Sequence, residues 1–160
     1  MRRVLPPAEP KPGRKSQPRE LLLYVEDDEE NWEVAEYRLS AAYDMVRARN
    51  AVEACAALRE HADALHGVLM DIELRGSDLN GIELTELFRG KRTRELPAYA
   101  RNLPTVTKPI VFVTAHGARY SDVELMVFGA DAVIAKPVDF AALSQALSSL
   151  VGKRFGGGRL

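Results

Sequence analysis

Cysteine is nearly absent from this chain of 160 residues: Cys55 stands alone, which excludes an internal disulfide and any metal site built from several cysteines. We expect Cys55 to be a small core residue on a helix rather than a reactive thiol. Long apolar runs are also lacking, and none reaches the roughly 20 residues that cross a bilayer. Prolines follow the basic N-terminus where a secretion signal would need an apolar stretch. These absences predict a cytoplasmic protein with no membrane partner.

The glycine-rich loops that hold nucleotide phosphates are missing as well. The sequence contains neither a Gly-x-x-x-x-Gly-Lys loop nor a Gly-x-Gly-x-x-Gly turn. In α/β proteins those loops cradle phosphates with backbone N–H groups. Nucleotide binding is therefore the weakest of the functions considered for this chain.

Charge is divided unevenly along the chain. The formal net charge is −1, but residues 1–20 hold six Lys/Arg and two Asp/Glu, which leaves −5 for the remainder. The same segment contains five prolines and few apolar residues, a composition that cannot build a core. We expect residues 1–20 to be a flexible basic arm, most simply a solvated linker. Contact with an acidic partner stays open, and nucleic acid is not expected among the partners.

A single domain over residues 21–151 is expected to follow, with a C-terminal tail over residues 152–160. Hydrophobic residues make up 46% of the chain and charged residues 28%, as in ordinary globular domains. Short apolar runs alternate with amphipathic stretches, a pattern typical of buried parallel strands and the helices that cover them. The order β then α occurs five times, which predicts an α/β fold: a doubly wound, five-stranded parallel sheet flanked by five helices. The expected strands are Leu21–Val25, Asp44–Ala48 at an edge, Val68–Met70, Ile110–Val113 and Ala132–Ala135.

Four of the expected helices have apolar residues at helical spacing, which predicts one buried face on each. A further helix is expected at about Arg119–Phe128, with Gly129 as a left-handed cap. The predicted faces are Val34, Ala35, Leu39 and Ala42; Val52, Cys55, Leu58 and Ala62; Leu84, Leu87 and Phe88; and Phe140, Leu143, Leu147 and Leu150.

Polar side chains follow four of the predicted strands at the point where each strand ends. Glu26, Asp27 and Asp28 follow the first strand, and Asp28 is expected to cap the next helix. Asp71 follows the third, Thr114 lies at the end of the fourth, and Lys136 follows the fifth. Because the carboxyl ends of parallel strands meet at one edge of a sheet, these side chains are expected to share a crevice.

These motifs resemble the receiver domain of response regulators, a flavodoxin-like family. The resemblance covers about residues 21–151 and implies the strand order 2-1-3-4-5. It is carried by Leu-Tyr-Val-Glu-Asp-Asp from Leu23, Val-Leu-Met-Asp-Ile from Val68, Asn-Gly-Ile-Glu-Leu from Asn80, Val-Thr-Ala from Val113, and Gly-Ala-Asp-Ala-Val-Ile-Ala-Lys-Pro from Gly129.

The resemblance implies a role for each of the strand-end residues. Asp71 is similar to the phosphoacceptor, and Glu26 and Asp27 to the acidic pair that holds Mg²⁺. Glu73 is similar to the residue whose backbone carbonyl ligates the metal, so the implied metal set is Glu26, Asp27, Asp71 and Glu73. Thr114 looks like the hydroxyl that bonds a phosphoryl oxygen, and Lys136 like the lysine that pairs with the phosphate.

Elementary chemistry agrees with this assignment. A carboxylate that attacks a phosphorus surrounded by negative oxygens needs counter-charge, which Mg²⁺ supplies as a hard cation that prefers oxygen ligands. Phosphoryl transfer needs little beyond positioning and charge neutralisation, so Lys136 and Thr114 complete a sufficient set.

Three departures from the family pattern are visible. The segment from Asp71 to Gly81 is about two residues longer than the common form. Residues 90–109 form a long, basic link that contains Tyr99, and it is either a docking element or a mobile solvated insertion. Val133 stands where the family usually has an aromatic switch residue, so we expect the fourth helix, through Leu125 and Met126, to carry the output surface.

The expected function is that of a single-domain response regulator. It would accept a phosphoryl group on Asp71 from a histidine kinase or a histidine phosphotransfer protein and thereby switch the binding of a downstream protein. It is not expected to be an enzyme beyond its own phosphorylation and dephosphorylation chemistry. One alternative function stays open, an interaction module of the same fold that is not phosphorylated. A phosphatase with an aspartate nucleophile is disfavoured, because its nucleophile would be expected after the first strand. A homodimer formed on phosphorylation also stays open.

Overall fold

The computed structural model describes residues 18–91, 95–115 and 119–155, with side chains up to residue 150. Strands and helices alternate along the chain, with one short 3-10 helix inside the long link. No helix in these ranges is both long and apolar enough to cross a membrane. The elements are β1 (Glu20–Val25), α1 (Glu29–Leu39), β2 (Tyr43–Ala48), α2 (Ala51–His61), β3 (Leu65–Met70), α3 (Gly81–Phe88), the 3-10 helix (Ala98–Ala100), β4 (Ile110–Thr114), α4 (Asp122–Val127), β5 (Ala132–Ala135) and α5 (Phe140–Phe155).

The five strands form one sheet in the order β2-β1-β3-β4-β5, and every neighbouring pair is parallel. The predicted fold class and strand order are therefore confirmed, with β2 at an edge. Successive side chains of a strand point to opposite faces, so both faces of the sheet are buried. Leu23 and Val25 of β1 belong to the core that α2 and α3 cover, whereas Leu22 and Tyr24 belong to the core that α1 and α5 cover.

Helices α3 and α5 bury the faces that the sequence predicts, whereas α1 and α2 bury faces that are rotated from the predicted ones. Leu84, Leu87 and Phe88 of α3 are buried. On α5, Leu143 and Leu147 are buried, and Phe140 and Leu150 are half-buried. Three residues predicted to lie on buried faces are exposed: Val34 of α1 (52%), Val52 of α2 (51%) and Ala42.

The correction has a geometric cause on each helix. On α1 the sheet is contacted by Ala35 and Leu39, with Trp32 half-buried one turn earlier, while Ala42 lies beyond the helix and is exposed. On α2 the buried stripe includes Ala51, Ala54, Cys55 and Leu58, which rotates Val52 towards solvent. Cys55 is fully buried, and burial raises the pKa of its thiol to about 11, as expected of a core residue.

The fourth helix is shorter than predicted and begins at Asp122, after the N-cap Ser121. Gly129 follows it with a φ of 120°, as the predicted left-handed cap requires. Leu125 is fully buried, so it cannot contribute to an exposed output surface, and that expectation is wrong for this residue. The exposed apolar side chains of α4 are Val123, Met126 and Val127.

The long link between α3 and β4 is anchored over its described part, residues 95–109. Arg59 of α2 donates hydrogen bonds to the carbonyl oxygens of Tyr99 (2.6 Å) and Arg101 (2.8 Å). The hydroxyl of Tyr99 donates to the carboxylate of Asp78 in the segment after β3. Leu96, Tyr99 and Leu103 pack against the core. Residues 95–109 are therefore joined to α2, to the segment after β3 and to the core by hydrogen bonds and packing, while residues 92–94 lie outside the described part.

Arg89 fixes the far end of the same link. Its guanidinium donates to the carbonyl oxygens of Val106 (2.8 Å), Lys108 (2.9 Å) and Gly129 (3.0 Å) and to the Asp131 carboxylate (2.7 Å). The side chain is only 14% exposed, and the planar fork of arginine suits such simultaneous donation. This basic side chain, which directly precedes the link, is therefore used inside the fold, where it joins the end of α3 to the residues before β4 and β5.

Gly81, the first residue of α3, lies against the backbone that follows β3. Its N–H donates to the carbonyl of Ile72 at 2.8 Å. A Cβ at this position would lie 1.9 Å from the carbonyl oxygen of Asp71 and 2.9 Å from the Cα of Ile72. Glycine is therefore required here by close approach, and this contact places the start of α3 against the backbone of Asp71.

We predict that Gly81→Ala destabilises the protein strongly, because the added methyl group must displace backbone rather than a flexible side chain. The expected loss in free energy of unfolding is about 3 kcal/mol or more, measured by urea unfolding. The control is Gly76→Ala, where the methyl group meets nothing within 4 Å and only the φ of 72° is strained, at about 1 to 2 kcal/mol. Equal losses in the two variants would contradict the close-approach explanation.

Candidate functional site

The carboxyl ends of β1, β3, β4 and β5 meet at one crevice of about 310 Å³. The structure brings together all the site residues that the sequence predicts, and it adds Arg75 and Asn31. The crevice is lined by Glu26, Asp27, Asp28, Asn31, Asp71, Glu73, Arg75, Thr114, Ala115 and Lys136.

Asp71 lies at the centre of this crevice. It follows β3 directly, its backbone N–H donates to the carbonyl of Val25 at 3.0 Å, and the residue is 6% exposed. Burial raises the pKa of its carboxyl group to about 6, and the Glu26 carboxylate contributes in the same direction, while the Lys136 ammonium opposes both. The carboxylate is thus held ionised near neutral pH mainly by the lysine.

Lys136 bridges two buried acids from the end of β5. Its Nζ donates to Oε2 of Glu26 at 2.7 Å and to Oδ2 of Asp71 at 3.0 Å. Burial alone would lower the pKa of Lys136, but the hydrogen bond to Glu26 and the charge of Asp71 raise it above its ordinary value. Lys136 is therefore charged, and its ammonium group is directed into the crevice by two carboxylates.

Glu26 is fully buried, and its carboxylate is satisfied on both oxygens. The hydroxyl of Tyr24 donates to Oε2 at 3.0 Å, and the backbone N–H of Asp28 donates to Oε1 at 3.0 Å. Burial and the neighbouring Glu26 raise the pKa of the Tyr24 hydroxyl, so it acts as a donor. The sequence analysis predicted Tyr24 only as a strand residue. Side chains two positions apart along an extended segment point to the same side, and this spacing could have indicated the contact between Tyr24 and Glu26.

Asp27 and Asp28 both form ion pairs with Arg75, a contact that the sequence analysis did not predict. The side chain of Arg75 donates from Nε to Oδ2 of Asp27 at 2.8 Å and from Nη2 to Oδ2 of Asp28 at 3.2 Å. Partial burial would raise the pKa of Asp27, but the hydrogen bonds from Arg75 lower it below its ordinary value. Asp28 also caps α1 as predicted, accepting from the N–H of Asn31 at 2.9 Å.

Thr114 and Glu73 complete the predicted set at the rim of the crevice. Thr114 is 5% exposed, and its carbonyl oxygen accepts from the backbone N–H of Lys136 at 2.8 Å, which joins the ends of β4 and β5. The side chain of Glu73 is exposed. His116, two residues beyond Thr114, lies outside the described residues.

Three of the predicted metal ligands can act together. Glu26, Asp27 and Asp71 each offer a carboxylate oxygen, and these three atoms lie within 4.8 Å of one another. An all-oxygen set with several negative charges matches the preference of Mg²⁺ and Ca²⁺ and suits soft metals poorly. The residues present therefore fit a magnesium ion, which these carboxylates would hold.

Comparison with known proteins points to one family. The family model described as "Response regulator receiver domain" matches residues 22–148. The polar-differentiation response regulator DivK of Brucella anthropi is 30% identical over 132 residues, covering 82% of this chain and 95% of that protein.

Solved structures agree on the fold. The receiver domain of the sensor histidine kinase PA1611 of Pseudomonas aeruginosa, solved with a magnesium ion in its active-site cleft, is similar with a TM-score of 0.65 and 23% identity, covering 84% of this chain and 99% of that one. The receiver domain of Saccharomyces cerevisiae Ssk1, solved in complex with the histidine phosphotransfer protein Ypd1, is similar with a TM-score of 0.66 and 24% identity, covering 88% of this chain and 94% of that one.

The site has the strand-end acids and lysine that first suggested the resemblance, and both the family match and the DivK relative span most of the chain. This chain belongs to the response regulator receiver domain family of two-component signalling.

Proposed function

We propose that this receiver domain accepts one phosphoryl group on Asp71 in a Mg²⁺-dependent reaction and thereby switches the binding of a downstream protein. The observation that carries the proposal is the position of the Asp71 carboxylate. It lies 3.0 Å from a fixed ammonium group and within 4.8 Å of two further carboxylate ligands, at the floor of an open crevice.

The transfer step is a substitution at phosphorus. A carboxylate oxygen of Asp71 forms a bond to phosphorus, the phosphorus–nitrogen bond of a phosphohistidine breaks, and the imidazole leaves with that electron pair and takes a proton. Mg²⁺, when bound, would neutralise the phosphoryl oxygens. The protein itself contributes an ionised, oriented nucleophile, which is the main requirement for phosphoryl transfer through a loose transition state.

Lys136 and Thr114 have separate roles in this proposal. The Lys136 ammonium would leave its ion pair with Asp71 and pair with a phosphoryl oxygen. Its hydrogen bond to Glu26, which is 2.7 Å long in this structure, would keep it at the site. The Thr114 hydroxyl would donate to another phosphoryl oxygen. Glu73 would contribute its backbone carbonyl to the metal, and its exposed side chain is not needed for this role.

The proposed chemistry stops at the acyl phosphate and its hydrolysis. The site would phosphorylate itself from a small donor and lose phosphate to water, without steady turnover of a separate substrate. A phosphoryl group alters function only if two conformations bind it differently. Val133 is half-buried in β5 and has no ring to swing inward, so the loop after Thr114 and helix α4 would carry the change, through the exposed Met126 and its neighbours.

The phosphodonor is proposed to be a histidine kinase or a histidine phosphotransfer protein, the class of partner bound to the Ssk1 receiver. Such a partner must reach Asp71 through the mouth of the crevice. A second cavity of about 200 Å³ adjoins that mouth and is lined partly by Asn31, Val34, Val138 and Phe140. The exposed apolar side chain of Val34, wrong as a core prediction, therefore fits a docking surface beside the site.

An interaction module that is never phosphorylated remains the second candidate function. Arg75 favours it, because its guanidinium occupies Asp27, one of the three clustered carboxylates. Such a module would bind its partner without an acyl phosphate, so the two functions differ in whether Asp71 can be labelled.

The labelling experiment uses acetyl phosphate and Mg²⁺ with the full chain, followed by intact mass measurement. The parent is expected to gain one phosphoryl group, and Asp71→Asn is expected to gain none because its amide is not a nucleophile at neutral pH. Asp63→Asn, which removes an exposed carboxylate from the segment before β3, is the control and should label like the parent. Label retained in Asp71→Asn would show that the acceptor is wrong, and an unlabelled parent would favour the interaction module.

The raised pKa of Asp71 gives a second prediction, for the metal-free protein in EDTA. Its carboxyl has a pKa of about 6 in the folded state and about 3.9 in an unfolded chain. The folded state therefore binds the proton more tightly, so ionisation of Asp71 costs stability that appears as the pH rises from about 4 and is complete above about 6.

Asp71→Asn removes this cost, because its amide does not ionise. We expect the free energy of unfolding of Asp71→Asn, relative to the parent, to rise by about 1 to 2 kcal/mol between pH 5.0 and pH 7.5. Urea unfolding at the two pH values measures the difference, with Asp63→Asn as the control that should show no such change. A relative stability independent of pH would contradict the burial of an ionised Asp71.

A further inference from the structure

Two cations line the crevice among its described residues, and each bridges two carboxylates. Lys136 joins Glu26 to Asp71, and Arg75 joins Asp27 to Asp28. The two differ in how firmly they are held. The side chain of Lys136 is 13% exposed, whereas that of Arg75 is 76% exposed. Breaking the ion pairs of Arg75 therefore costs little free energy, because most of the surface of this side chain is already hydrated.

Arg75 contacts Asp27 with main chain and side chain together. Its backbone N–H donates to Oδ2 of Asp27 at 3.1 Å, and its Nε donates to the same oxygen at 2.8 Å. The Asp27 side chain is itself only 11% exposed, so the guanidinium covers one of the few directions from which that carboxylate can be approached. Asp27 is also one of the three residues whose oxygens cluster for a metal.

We propose that Arg75 is an internal counter-ion that competes with Mg²⁺ for Asp27 and so sets the metal concentration at which the site becomes competent. This inference rests on the proposed function, in which Glu26, Asp27 and Asp71 hold the metal. It assigns the affinity of that site to a residue of the segment after β3, in which this chain is about two residues longer than the common family form.

Repulsion between the two cations makes the binding of Arg75 and Mg²⁺ to Asp27 competitive. A guanidinium and a divalent cation on one carboxylate repel each other at close range, so each weakens the binding of the other. Asp28 offers Arg75 a second partner at 3.2 Å, so the side chain can withdraw from Asp27 without losing every ion pair. A Cβ on the adjoining Gly76 would meet no atom within 4 Å, so the segment is not packed against the fold on that side.

A supporting role for Arg75 would change the Mg²⁺ affinity of its variants in the opposite direction. If Arg75 held Asp27 in the geometry that the metal needs, its removal would weaken metal binding. Under competition, its removal strengthens metal binding. Measuring the sign of the change therefore decides between the two roles.

The first experiment is a calorimetric titration of the full chain with magnesium chloride at pH 7.5, for the parent, Arg75→Ala and Arg75→Gln. We expect Kd for Mg²⁺ to fall about three- to fivefold in both variants, as the removal of an exposed competing ion pair allows. Arg19→Ala is the matched control. It removes the same charge at the opposite end of β1, where Arg19 pairs with Asp44, and its Kd should stay within about twofold of the parent.

The second experiment follows the Nε–H of Arg75 by NMR, assigned by its loss in Arg75→Lys. In the metal-free protein this proton is hydrogen-bonded to Asp27, so its exchange with water should be slower than in the protein saturated with Mg²⁺. Saturation with Mg²⁺ should move the signal and accelerate its exchange. A signal that is unchanged at saturation would falsify the competition.

The outcomes separate this inference from the proposed function. Mg²⁺ binding and Asp71 labelling in the parent, with an equal or higher Kd in both Arg75 variants, would overturn the competition and leave the proposed function standing. Metal binding that appears only in the Arg75 variants would support the competition in its strongest form. Absence of Mg²⁺ binding from the parent and both variants would overturn both.

Discussion

The ion pair between the Lys136 ammonium and the buried carboxylates of Glu26 and Asp71 is the interaction on which the site depends. Asp71 is nearly inaccessible to water and lies beside the buried side chain of Glu26, and both effects raise the pKa of the Asp71 carboxyl group. The fixed ammonium group of Lys136 opposes them. The lysine supplies this charge from the end of β5. The Tyr24 hydroxyl and the Asp28 N–H donate the other hydrogen bonds to the Glu26 carboxylate oxygens. The result is a carboxylate on Asp71 that is charged, oriented by Lys136 and exposed only towards the crevice.

The parallel sheet is what makes this pair possible. Glu26, Asp71 and Lys136 are separated by up to 110 positions in the chain, yet each directly follows a strand. Parallel order turns those equivalent positions into neighbours, and the buried apolar strands behind them hold the spacing. Gly81 adds a restraint from the other side, since its lack of a side chain lets α3 begin directly against the backbone of Asp71.

Much of this arrangement could be predicted from the sequence, because strand runs and the polar residues after them are local signals. The failures have physical causes. Val34 and Val52 were assigned to the core because apolar spacing defines a stripe but not its rotation when alanines at neighbouring positions can pack closer to the sheet. Arg75 was missed because its contacts with Asp27 and Asp28 depend on the course of an irregular segment and the reach of a long side chain, and neither is periodic.

The hydrogen bond between Tyr99 and Asp78 has a consequence for how this chain should be compared with its relatives. It connects the two segments that depart from the common family length, one after β3 and one before β4, and Arg59 fastens the second of them to α2. Two departures that look independent in a linear alignment thus form a single structural unit. Grafting either segment alone into a related scaffold would leave half of that unit without its counterpart, so the two segments should be exchanged together in chimeras.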